Sequence, residues 1–74
     1  MYLKDLKLGQ SGYVKEVNGN ADMIIRLYDL GLIEGTKIKL LLSCNGIKAY
    51  NFRNSLIAIR DYDASNIVLG DIYG

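Results

Sequence analysis

From Lys37 to Ser43 apolar and polar side chains alternate: Lys37 and Lys39 against Ile38, Leu40 and Leu42. That is the period of a half-buried strand. Leu41 interrupts it by falling on the lysine face. The segment Ala21 to Leu30 reads instead as a helix. Asn20 is placed to cap it, and Asp22 suits the positive first turn. Gly31 followed by apolar Leu32 is the pattern of a Schellman ending. Asp22, Arg26 and Asp29 stand at i, i+4 and i+7, one polar stripe in which Arg26 is expected to pair with either aspartate. Apart from Ala21 the other helix residues are all apolar, and they cover more than the ~100° stripe a surface helix needs. Met23, Leu27 and Leu30 share one side, and the core is expected to absorb them together with Ile24. Ile25 and Tyr28 point toward the other side and are expected to stay at least partly exposed.

Glycine punctuates the rest. Leu3, Leu6 and Leu8 form an apolar opening segment, and the turn Gly9-Gln10-Ser11-Gly12 leads into a strand from Tyr13 to Val17. Asn18-Gly19-Asn20 and Ile33-Glu34-Gly35-Thr36 are turns on either side of the helix. Asn45-Gly46 predicts a tight type I′ hairpin with a return strand from Ile47 to Phe52. After Arg53-Asn54-Ser55 a further strand runs from Leu56 to Arg60. Asp61 is placed to cap a helical turn to Ser65 before a last strand, Ile67 to Leu69. The fold class expected is mostly β: a small, closed or nearly closed barrel of about five short strands. One α-helix follows the first strand and a short helical turn precedes the last. Closure would remove the exposed edges of so short a sheet.

Seventy-four residues suffice for one domain, residues 1–74, and half of them are apolar. A single cysteine, Cys44, rules out an internal disulfide and favours a reducing compartment. The charged start, Met1-Tyr2-Leu3-Lys4-Asp5, does not read as a signal peptide, and no apolar run approaches the roughly 20 residues that cross a bilayer. A cytoplasmic protein without direct membrane insertion is expected. Nine basic and eight acidic residues are scattered along the chain with no evident basic cluster, which weighs against nucleic acid as a partner.

The inventory for chemistry is poor. There is no histidine, so the commonest general base and the commonest transition-metal ligand are both missing. Cys44 has no activating partner and sits beside the hairpin tip. Asp61, Asp63 and Asp71 could offer oxygen ligands, but they lack the glycine and distal glutamate of a calcium loop. Gly9-Gln10-Ser11-Gly12 precedes a strand, whereas phosphate cradles precede helices. The six tyrosines are dispersed and read mostly as edge-of-core residues. A binding module is expected, with no enzymatic activity, no cofactor and no metal site.

Three groups of residues carry a resemblance. They are Leu8-Gly9-x-x-Gly12-x-Val14; Arg26-Leu27-x-x-Leu30-Gly31-Leu32-x-x-Gly35; and Leu56-x-Ala58-x-Arg60-x-x-x-Ala64 with Ile67-x-Leu69. In this order, over nearly the whole chain, they resemble the FeoA family. The resemblance implies an SH3-like barrel, similar also to the C-terminal domain of DtxR-type metal-dependent repressors. It further implies a cytoplasmic accessory of bacterial ferrous iron uptake that docks on and modulates the FeoB-type permease, through its G domain or its membrane part. Within the pattern Arg26, Leu27, Leu30, Gly31, Leu32, Gly35 and Arg60 are read as structural, the glycines through backbone geometry. Ile25 and Tyr28, joined by Leu41, are the candidate partner-binding residues, because contiguous exposed apolar residues mark interaction sites. A deep groove for the helix, or a homodimer, would explain the same residues. The alternatives in function are a free-standing SH3-like domain of metal-dependent transcriptional regulation, an RNA- or ribosome-associated barrel, and iron sensing by surface carboxylates.

Overall fold

The computed structural model describes residues 1–73. Five antiparallel strands form one sheet in the order β4-β3-β2-β1-β5: β1 Ser11–Val17, β2 Lys37–Cys44, β3 Ile47–Phe52, β4 Ser55–Arg60 and β5 Ile67–Tyr73. Helix α1, Ala21–Asp29, follows β1, and a single turn, α2, Asp61–Ala64, precedes β5. A 3₁₀ turn, Leu3–Asp5, opens the chain. The sheet curls but does not close, so β4 and β5 remain its edges. β5 runs four residues past the expected Leu69, pairing along β1 through two register shifts that let it bend.

Both ends of α1 are made by local chemistry. The Asn20 carboxamide oxygen accepts from the Met23 amide at 2.9 Å. At the other end the Leu32 amide donates to the Leu27 carbonyl and the Gly31 amide to that of Tyr28, the two bonds of a Schellman motif. Gly31 has φ +98°, and a Cβ there would lie 3.3 Å from Arg53 Cδ. Gly31→Ala is therefore expected to cost about 1 kcal/mol in urea unfolding, and an unchanged midpoint would refute this helix end.

The core gathers Leu3, Leu6, Leu27, Leu32, Ile38, Leu40, Tyr50 and Ile67 with their neighbours. Several expectations need correcting. Leu8 stays on the surface, since the chain has already turned outward toward Gly9. Leu30 is 42% exposed, because it is the C-cap residue where the chain leaves the helix, while Leu32 takes the buried place. Asp61 does not cap α2: that position belongs to Arg60, and Asp61 is the first helical residue. Tyr50 is fully buried and central, not at the edge of the core.

A bulge resolves the irregularity at Leu41. Leu40 pairs with Tyr50 and Leu42 with Ala49, so Leu41 is the extra residue. A one-residue slip reverses every side chain beyond it. Leu42, expected to point inward, is 61% exposed on the outer face. At the hairpin tips Asn45 and Gly46 (φ 45° and 79°) make the expected two-residue turn, and Arg53 with Asn54 (φ 54° and 62°) makes a second.

Candidate functional site

The solvent side of α1 centres on Ile25, 58% exposed, with Asp22 and Asp29 on one flank and Tyr28 on the other. Met23 and Leu27 hold the opposite side in the core, with Ile24 half-buried. Arg26 does not pair along its own helix. Its guanidinium reaches Asp63 of α2 at 2.7 Å, tying the two helices together. An arginine has the reach and the fork geometry for such a cross-element pair, which leaves Asp22 and Asp29 without an ion pair among the described residues.

Tyr28 is held by Glu34. Its hydroxyl lies 2.8 and 3.0 Å from the two carboxylate oxygens and donates to them. This bond lowers the Glu34 pKa and, with some desolvation, raises that of Tyr28. The sign follows. The contact contributes above the carboxylate's ordinary pKa and fades as pH falls through the depressed one. It is also lost as pH rises through the raised phenol pKa. At neutral pH the Tyr28 hydroxyl is thus held by Glu34 while its side chain stays partly exposed.

Leu41 is exposed too, but it belongs to the β2 bulge and not to the helix. Arg60, at the end of β4, is exposed and makes no ion pair among the described residues. Inside the sheet, Lys48 Nζ donates to the Lys4 carbonyl and lies 3.6 Å from Asp61. The Tyr50 hydroxyl and Asp61 Oδ1 are buried with no hydrogen-bond partner among the described residues. Burial and the Asp61 charge push the Tyr50 phenol far above its usual range. Cys44 is a free, exposed thiol, and among the described residues no three His, Cys, Asp or Glu side chains gather where they could hold a metal ion.

One feature of the surface contradicts the even scatter of charge expected from the sequence. From Lys37 to Arg60, the span of β2, β3 and β4, there are five basic residues and no acidic one. All eight acidic residues lie elsewhere, against four basic ones. The numbers balance along the chain, but the sheet segregates them. A windowed charge count would have found this, whereas adjacent-residue clustering does not.

A family model for the FeoA domain matches residues 1–69. The chain belongs to the FeoA family. Among solved structures, the FeoA protein of Chlorobium tepidum is 31% identical and superposes with a TM-score of 0.85, covering 93% of this chain and 68% of that one. The FeoA of Stenotrophomonas maltophilia, complexed with zinc, is described as a prokaryotic SH3 domain protein and suggested as a ferrous iron transport activating factor. It is 21% identical over 95% of this chain and 89% of its own, with a TM-score of 0.78. A manganese-dependent transcriptional repressor shares the fold at 14% identity and a TM-score of 0.83, and the match covers 90% of this chain and 39% of the repressor. No curated protein sequence matches the chain. The SH3-like fold is thereby established. Among the described residues no helix is long and apolar enough to cross a membrane.

Proposed function

We propose that this FeoA-family chain is a non-enzymatic, cytoplasmic accessory of bacterial ferrous iron uptake. It docks on a FeoB-type permease and modulates it. The observation that carries this reading is the solvent side of α1: Ile25 lies open at the centre of a helix whose other apolar side already fills the core. Tyr28 is oriented beside it by Glu34. Exposed aliphatic and aromatic side chains on a rigid element are what a protein partner can bury. Leu41, exposed at the β2 bulge, is a further candidate contact on the sheet.

The test is an amide NMR titration of the labelled chain with the soluble G domain of the cognate permease, with and without GTP. Shifts are expected around Ile25, Tyr28 and Leu41, weakened at least about tenfold by Ile25→Lys. Nucleotide-dependent shifts would assign the effect to the GTPase. Absence of shifts at high G-domain concentration would reject docking on that domain. The fold shared with the manganese-dependent repressor supports a second reading, a free-standing interaction domain of metal-dependent transcriptional regulation. In that case a repressor, and not the G domain, produces the shifts.

A further inference from the structure

The strand register defines an outer face on β2, β3 and β4 that none of the described residues covers. Leu42, Ala49 and Ala58 form a row straight across the three strands. Ile47 stands on one side of this row and Leu56 on the other, and Leu42 and Leu56 are 61% and 57% exposed. The small alanines make a shallow floor between larger aliphatic side chains. Every charged residue on this outer face is basic: Lys37 and Lys39 on β2, and Arg60 on β4. Arg53 adds a fourth exposed cation at the β3–β4 turn. None of the four makes an ion pair among the described residues. β4 is moreover a sheet edge whose interior carries neither proline nor charge, so it lacks the usual protection.

The solvent side of α1 has the opposite character. Ile25 projects from its centre, and the charges beside it, Asp22 and Asp29, are unpaired because Arg26 is drawn away to Asp63. One face is apolar with a basic rim, and the other is an apolar ridge with an acidic flank. A helix of this kind laid in a shallow apolar floor is a recurring mode of recognition. Just beyond the end of α1 the Arg53 side chain lies against Gly31, beside a cleft of about 380 Å³ lined by Ile33, Glu34, Gly35, Thr36, Lys37 and Arg53.

We propose that a second copy of this chain occupies the outer face of β2–β4, seating the acidic side of its α1 there with Ile25 over the Ala49–Ala58 floor. Asp22 and Asp29 meet the basic rim. The complementarity selects this occupant over nucleic acid, since β2–β4 direct no aromatic ring outward to stack on bases: Tyr50 and Phe52 both face the core. A two-fold pair makes the contact twice and closes the assembly. Because the contact covers Ile25 and Tyr28, association hides the surface assigned above to a different partner. The inference goes beyond that assignment and is tested on this protein alone, so either can fail without the other.

Sedimentation velocity from about 20 µM to about 1 mM should show reversible association, weakened at least about tenfold when salt is raised from about 50 to about 500 mM. Ile25→Lys and Leu42→Lys alter exposed residues, and unchanged circular dichroism and melting verify that both variants fold. Each alone should be monomeric. Mixed, they should associate more strongly than either alone but more weakly than the native chain, because the intact helix of the Leu42→Lys variant meets the intact sheet of the other in one of the two contacts. Association that survives Ile25→Lys assigns the contact to the β4 edge or to sheet-on-sheet packing and overturns the proposal. So does a mixture that associates no more than either variant alone at the top of the range. A native protein monomeric throughout the range also overturns it, and sheet-face shifts on adding single-stranded RNA would then give this face to nucleic acid.

Discussion

Leu27→Ala is expected to lower the stability of the chain by about 2–5 kcal/mol, the cost of removing a buried leucine whose surroundings relax only in part. A 74-residue domain has roughly 4–11 kcal/mol in total, so much of the protein would be unfolded near physiological temperature. Leu27 is 1% exposed and anchors α1 to the sheet. It is also the residue whose carbonyl receives the Leu32 amide at the helix end, so the helix end and the core share one site. Urea unfolding followed by circular dichroism checks this, and a loss below about 1 kcal/mol would mean that α1 is not held by Leu27. The result bears on the Arg26-Leu27-x-x-Leu30-Gly31-Leu32 pattern. In this structure Leu27 and Leu32 fill the core, Gly31 turns the chain and Arg26 ties α1 to α2. Folding accounts for Arg26, Leu27, Gly31 and Leu32 of this pattern, whereas Leu30, like Ile25 and Tyr28, stays exposed.

Gly12→Val should cost about 1–3 kcal/mol, although valine is ordinarily favoured in a strand. Gly12 is buried between β2 and β5, opposite Ile38 and Ile72. A Cβ there would come within 2.8 Å of Ile72 Cδ1 and 3.1 Å of the Asp71 carbonyl oxygen. The methyl of Ile72 can swing away, but the backbone carbonyl moves only with its strand, so β5 must separate from β1. Gly70 supplies the control on the neighbouring strand. Its nearest neighbours to an added Cβ are 3.9 Å away, and Gly70→Ala should be neutral or stabilise by up to about 1 kcal/mol by restricting the unfolded chain. Equal effects at the two positions would show that propensity, and not close approach, governs β1–β5.

The features legible before the structure are those written in short range. Asn20 at the start of α1 and Gly31-Leu32 at its end specify the helix through groups within a few residues. Asn45-Gly46 specifies its turn because both residues tolerate positive φ. The exposure of Ile25 and Tyr28 followed from counting how much of a nine-residue helix a small core can cover. Long-range facts behaved differently. Arg26 had two acidic neighbours on its own helix and chose Asp63, 37 residues away, because packing set α2 beside it. The surplus apolar residue in β2 announced an irregularity without saying how it would resolve.

By itself, then, the sequence determined the helix with both of its ends, the hairpins, the mostly β class and the family pattern, because each rests on local backbone preference or on spacing along the chain. Tertiary structure decided which side of the sheet each residue of β2 beyond the bulge would face, since the pairing of Leu42 with Ala49 is a property of two strands and not of one. It also decided that Lys37, Lys39 and Arg60 would share the outer face of three adjacent strands while Lys48 turned to the other side, toward the Lys4 carbonyl and Asp61. Charge is additive in space, and only the register says which charges are neighbours.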